Sequence, residues 1–176
     1  MGSRGRWAIH ETDRTRCESK CGLEHCRDST FTSCGLKLTV RILIVDDEPS
    51  NVLLLETFLA DSAHEIRSIT DSNHVEHAFA EFEPDIVLLD LHMPEPDGLE
   101  ILRRLRSARD SLGFLPVVML TGDTGRAARN SALILGADDF LTKPLDRSEV
   151  ILRVRNLLRT RKLYQELAES KAVSDP

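Results

Sequence analysis

From Val40 onward, apolar residues fall into two alternating patterns. Unbroken runs, Ile42-Leu43-Ile44-Val45, Ile86-Val87-Leu88-Leu89 and Val117-Val118-Met119-Leu120, are short and bounded by charged or turn residues. Such runs predict strands buried on both faces, the kind that parallel sheets carry between layers of helix. Between them residues recur at helical spacing to give one face each: Val52, Leu53, Leu55, Glu56, Phe58 and Leu59, then Val75, Ala78, Phe79 and Phe82, then Leu99, Ile101, Leu102 and Leu105, and finally Val150, Ile151, Val154, Leu157 and Leu158. Ile66 and Ile69 mark a short, weak second strand, and Asp139 to Thr142 a fifth. Pro49 suits the opening of the first helix, Asp71 or Ser72 the cap of the second, and Asp97 the cap of the third. The third helix is expected to hold Arg103, Arg104 and Arg106 mostly on its wet side. A fourth covers about Thr124 to Leu135 and stops at Gly136, and the last starts near Asp146. Five strands, each followed by a helix over short connections, predict an α/β, doubly wound (βα)₅ sheet. Right-handed crossovers give the strand order 2-1-3-4-5.

The last helical pattern does not stop where a compact domain requires it to. Leu163, Tyr164 and Leu167 carry the apolar stripe to about Glu169, so the helix is expected to project beyond the body as a linker or pairing helix. The chain thus divides into an N-terminal extension (1–39), a folded domain (40–160) and a helical continuation and tail (161–176).

Composition sharpens that division. The extension is rich in Arg, Ser, Thr, Gly and Cys and lacks either periodicity, which predicts disorder. All four cysteines, Cys17, Cys21, Cys26 and Cys34, lie there, at spacings that match no zinc module. Residues 1–40 carry seven basic and five acidic residues, so the overall charge of −6 leaves −8 on the remainder. An acidic domain argues against general attraction to nucleic acid or anionic membrane. No apolar run approaches the roughly 20 residues needed to span a bilayer, which makes the cytoplasm the expected compartment.

In the predicted sheet the carboxyl ends of four strands share one edge, and they deliver Asp46 and Asp47, Asp90, Thr121 and Lys143. Three carboxylates at about 4–5 Å repel by roughly 4 kcal/mol per pair at an effective dielectric near 20. A cation is therefore expected, and an all-oxygen cluster with access to water suits Mg²⁺. Lys143 adds a point charge and Thr121 a hydroxyl. No His or Ser stands at a strand end as nucleophile or base, and His92 lies two residues into a loop.

These residues resemble the receiver domain of two-component response regulators over positions 41 to about 160. The resemblance rests on Asp46-Asp47, on Asp90 after its apolar strand, on Met93-Pro94 followed by Asp97-Gly98, on Thr121-Gly122 and on Lys143-Pro144. It implies a flavodoxin-like fold in which Asp90 accepts a phosphoryl group from phosphohistidine. It further implies that Asp47, Asp90 and the backbone carbonyl of His92 bind Mg²⁺ directly and that Asp46 acts through water. Lys143 would pair with the phosphoryl oxygens across a cis Lys143-Pro144 bond, Thr121 would hydrogen-bond one of them, and Gly122 would leave room. Thr121 and Phe140 would form the switch, with Phe140 lacking the hydroxyl of the commoner Tyr and so more evenly buried in both states. His92 and Asp123 would tune the lifetime of the phosphoryl group. The implied partners are a histidine kinase or histidine phosphotransfer protein, and a second copy joined through the last helix or through the face of the fourth helix, fifth strand and fifth helix. The implied role is a signalling receiver, not a turnover enzyme, placed at the front of a multidomain regulator or standing alone. A haloacid-dehalogenase-type phosphatase is the competing enzyme class, but the position of its second Asp is occupied by His92.

Overall fold

The computed structural model describes residues 39–60, 64–107, 114–122 and 126–174. The expected extension over 1–39, apart from Thr39, lies outside the described residues, as do Asp123 and the predicted start of the fourth helix at Thr124. In chain order the elements are β1 (Val40–Val45), α1 (Pro49–Leu59), β2 (His64–Ile69), a 3₁₀ turn (Ser72–His74) running into α2 (Val75–Phe82), β3 (Ile86–Asp90), α3 (Gly98–Ser107), β4 (Val117–Thr121), α4 (Arg126–Ile134), β5 (Asp139–Thr142) and α5 (Arg147–Ser174). The five strands form one sheet in the order β2-β1-β3-β4-β5, every pair parallel. This is the order that right-handed crossovers predict.

The sheet is sandwiched between two apolar layers, and the two-residue period of a strand assigns each side chain to one of them. Leu43, Val45, Val87, Leu89, Val117 and Met119 face α2 and α3, meeting Phe79, Phe82, Ile101, Leu102 and Leu105. Ile42, Ile44, Ile86, Leu88, Val118 and Leu120 face the other way, onto Val52, Leu55 and Leu59 of α1 and Val150 and Val154 of α5. Both faces being covered, β3 and β4 are buried at every position and show no polar alternation. The edge strand β2 is only partly covered and carries His64, Glu65, Arg67 and Ser68. Its signal in the sequence is correspondingly faint, although it pairs with β1 along its whole length.

Local chemistry sets the element ends. Asp71 Oδ1 accepts the Asn73 N–H at 3.0 Å, Asp97 Oδ1 that of Glu100 at 2.8 Å and Asp146 Oδ1 that of Glu149 at 2.9 Å. Each satisfies a donor that a helix start leaves unpaired. Gly136, at φ 96°, closes α4 in the left-handed region. Two side chains depart from their expected places. Leu53, expected on the core face of α1, is 65% exposed, because Val52, Leu55 and Leu59 fill that face. Arg106 is not on the wet side of α3: its side chain is 14% exposed and its guanidinium donates to Gly136 O at 2.6 and 2.9 Å and to Leu115 O at 2.8 Å, while pairing with Asp138 at 2.7 Å. A long side chain with a planar fork can leave its helix face to satisfy carbonyls that a fold leaves open.

α5 runs for 28 residues, five beyond the expected limit at Glu169. At 1.5 Å per residue it is about 42 Å long. Among the described residues no helix is long and apolar enough to cross a membrane.

Candidate functional site

Register places the predicted residues along one edge. Val45 pairs with Leu89, Asp90 with Leu120 and Thr121 with Thr142, so the chain leaves β1, β3, β4 and β5 at neighbouring points. Asp46, Asp90 and Thr121 are 0%, 3% and 1% exposed, whereas Asp47 opens to solvent. Carboxylate oxygens of Asp46, Asp47 and Asp90 lie within 4.8 Å of one another.

The three acids are held very differently. Asp46 is committed on both oxygens: Oδ1 accepts from the Glu48 N–H and from Asn51 Nδ2, each at 3.0 Å, and Oδ2 accepts from Lys143 Nζ at 2.9 Å. Its own N–H donates to Ile69 O at 3.2 Å. Asp90 Oδ1 also lies 2.9 Å from Lys143 Nζ, but as a charge contact without hydrogen-bond alignment, so this buried oxygen has no directed donor. Buried polar atoms normally have one, and at a cluster of acids an exception is accounted for by a catalytic role or a bound ion. Burial pushes the Asp90 carboxyl above its ordinary value, Lys143 counters that, and the nearby Asp46 charge adds to it. Burial pulls Lys143 down, but its contacts with Asp46 and Asp90 together outweigh burial and hold it above its usual value. A cluster of hard oxygen donors, one of them buried and undirected and one open to water, fits a hard divalent cation.

The backbone around Asp90 is fixed by a glycine. A side chain at Gly98 would put its Cβ 2.1 Å from Asp90 O and 2.8 Å from Leu91 Cα, so α3 starts directly against the backbone of Asp90. The Gly98 N–H donates to Leu91 O at 3.2 Å and closes the loop that carries His92. Ser72 Oγ donates to Pro94 O at 3.4 Å, tying that loop to the exit of β2. The His92 side chain is exposed and away from this framework. Gly122 has a different setting: a Cβ there would meet nothing within 4 Å, so open space lies over it. Lys143-Pro144 is cis, as expected, and so is Glu95-Pro96. Phe140 is turned inward and 6% exposed, with the Arg129 guanidinium 4.7 Å from its ring centroid.

Asp46, Asp47, Asp90 and Lys143 are therefore brought together directly. Thr121 ends the adjacent strand, and Phe140 pairs with Met119 two residues before it. Sequence reasoning missed Asn51 and the steric role of Gly98. An Asn in the first turn of the helix after an acidic pair was the available signal for the former.

A sequence profile of the response regulator receiver domain matches residues 42–155. Among curated proteins, the response regulator PleD of Caulobacter vibrioides is 38% identical over 135 residues, covering 77% of this chain and 30% of PleD. Across the curated relatives compared, the chain spans 30% to 57% of their length. The solved structure of NtrX from Brucella abortus superposes with a TM-score of 0.68 at 32% identity, over 75% of this chain and 29% of that one. The chemotaxis protein CheY4 of Vibrio cholerae shares the fold, with a TM-score of 0.61 at 24% identity over 68% of this chain and 98% of CheY4.

Proposed function

The chain belongs to the response regulator receiver family, and on that premise we propose that Asp90 accepts a phosphoryl group from a phosphohistidine of a histidine kinase or a histidine phosphotransfer protein. The observation that carries this reading is the buried, undirected Asp90 Oδ1, 2.9 Å from Lys143 Nζ at an edge shared with Asp46 and Asp47. A carboxylate needs no base to act as nucleophile. Its oxygen attacks phosphorus, the O–P bond forms as the N–P bond breaks, and the bonding pair leaves on the imidazole nitrogen. Water later attacks the same phosphorus and releases phosphate and free Asp90.

In-line phosphoryl transfer asks a protein mainly for positioning and charge neutralisation. Gly98 fixes the backbone that carries the nucleophile, and Asp46 holds Lys143 where the phosphoryl oxygens will stand. Thr121 offers a hydroxyl from the next strand. Asp47, Asp90 and the His92 carbonyl are the proposed Mg²⁺ ligands, and Asp46, already engaged on both oxygens, acts through water. When bound, Mg²⁺ supplies charge that stabilises the transferring group.

A phosphoryl group adds negative charge and acceptor oxygens that draw Thr121 toward Asp90. Phe140 already lies inward beneath Arg129, which supports the expectation that its buried state is favoured in both forms. The chain is read as the receiver of a longer cytoplasmic regulator, because it spans less than a third of PleD. A stand-alone receiver is the second reading, favoured by a solved structure from Chloroflexus aurantiacus, 29% identical, of which this chain covers 98%. Leu53 and Leu54, 65% and 38% exposed on the helix that follows the acidic pair, suit a docking helix of the phosphodonor protein. Leu133 and Ile134 on α4, and Leu163 and Leu167 on α5, are the exposed apolar positions on the two faces proposed for self-association.

The test is labelling by a phosphohistidine donor and by a small phosphodonor. One hydroxylamine-labile phosphoryl group per chain is expected in the parent and none in Asp90→Asn; a label of the same lability on Asp90→Asn refutes the assignment.

A further inference from the structure

Past Leu158 none of the described α5 side chains belongs to either apolar layer, yet the helix does not leave the body there. Arg161 Nε lies 3.2 Å from Asp85 Oδ1, and Arg161 Nη1 donates to Phe114 O. One turn on, the Tyr164 ring stacks on Phe114 with centroids 4.7 Å apart and planes 26° apart. The other oxygen of Asp85 accepts the Arg41 N–H at 2.9 Å, so this carboxylate is anchored to β1 as well. The Arg161 and Asp85 side chains are 14% and 26% exposed, which distinguishes the pair from a surface ion pair worth almost nothing.

The partners are placed suggestively. Asp85 immediately precedes β3, which ends in Asp90, and Phe114 lies three residues before β4, which ends in Thr121. Each strand is five residues long and buried throughout, about 17 Å of extended chain that cannot shorten. A displacement of either strand along its axis would be felt at the opposite edge. Arg161 grips groups at the start of both strands with one planar fork, whose geometry tolerates little relative movement.

We infer that Arg161 and Tyr164 form the seat through which the state of Asp90 sets the order and direction of the far half of α5. This rests on the reading of Asp90 as phosphoacceptor. It assigns Arg161 a positioning role at the sheet edge opposite the chemistry.

Hydrogen exchange on the full chain tests it, with Arg161→Ala, Asp85→Asn and Tyr164→Ala beside the parent, each with and without Mg²⁺ and beryllofluoride as phosphoryl mimic. Without the mimic, Arg161→Ala is expected to speed exchange of amides 162–170 about tenfold or more while leaving β3 protected. With the mimic, the parent is expected to change its exchange over 162–170. Arg161→Ala is expected to show no such change, although its segment around Asp90 gains protection as in the parent. Equal exchange of 162–170 in parent and all three variants, or a mimic-induced change there that survives all three, overturns the proposal. If the mimic protects no segment around Asp90 in the parent, the phosphoacceptor reading fails and the coupling fails with it. The exchange without mimic then still decides whether Arg161 and Tyr164 hold the helix.

Discussion

Replacing Asp90 by Asn should make the metal-free protein more stable, not less. At an effective dielectric near 20, the 2.9 Å contact with Lys143 returns about 6 kcal/mol to an ionised Asp90. Repulsion from Asp46, at no more than 4.8 Å, removes about 3.5 kcal/mol. Burying the carboxylate costs several kcal/mol more. The opposing contributions exceed the favourable one, in agreement with the upward displacement of the Asp90 pKa, for which burial is the main cause. Asn keeps the shape, removes both penalties and leaves Lys143 paired with Asp46. We expect a gain of about 1–2 kcal/mol at pH 7.5 in chelator, about 3–8 °C in Tm for a domain of this size. Because folding raises this carboxyl above its ordinary 3.8, the stability tied to it is complete below that value and is lost as pH rises through the folded-state pKa. The Tm difference between variant and parent should accordingly be small near pH 3.5 and grow toward pH 7. Millimolar Mg²⁺ should then narrow or reverse the difference, since a ligand of the native parent stabilises it by mass action. Thermal unfolding over this pH range, with chelator and with Mg²⁺, is the assay. A variant no more stable than the parent in chelator at pH 7.5, or a difference that does not change with pH, would refute the reasoning.

Three further outcomes are expected. Asn51→Ala removes one donor from fully buried Asp46 and should cost about 1 kcal/mol in urea unfolding while slowing labelling by a small phosphodonor, as Lys143 loses its rigid partner. Gly98→Ala forces a Cβ to 2.1 Å from Asp90 O, so it should destabilise by about 2–3 kcal/mol and lower labelling although every charged group remains. Substituting Leu53 and Leu54 by Ser should slow transfer from a phosphohistidine protein about tenfold and leave small-donor labelling within error, at a stability cost of about 1 kcal/mol because Leu54 is 38% exposed and Ser is the poorer helix former.

How far the sequence could be read depended on how local each signal was. β1, β3 and β4 announce themselves because burial on both faces demands an unbroken apolar run, and their terminal acids follow without interruption. β2 was faint because an edge strand keeps polar residues such as Glu65 and Arg67. The strand ends predicted the cluster of Asp46, Asp47, Asp90 and Lys143, since topology alone brings parallel strand ends together. Arg106 was misplaced because helical period assigns a charged residue to water, while the carbonyls it satisfies, on Leu115 and Gly136, exist only in the folded chain. Gly98 could be seen as part of a motif, but its reason is the backbone of Asp90, which reaches it only through the closed loop. The long last helix was legible from its stripe. Its attachment was not, because Arg161 meets Asp85 across 76 residues of sequence.

The complete burial of β3 also bears on how the chain avoids self-association while it is being made. Ile86-Val87-Leu88-Leu89 is a β-prone segment without charge, the kind that adheres to copies of itself when unfolded. Pro84 and Asp85 guard its front, and Asp90 guards its end, in the manner of gatekeeper residues. The carboxylate that weakens the folded domain therefore protects the unfolded one. Asp90→Asn should melt later yet recover less completely after melting, so that removing this one charge has opposite consequences before and after the chain has folded.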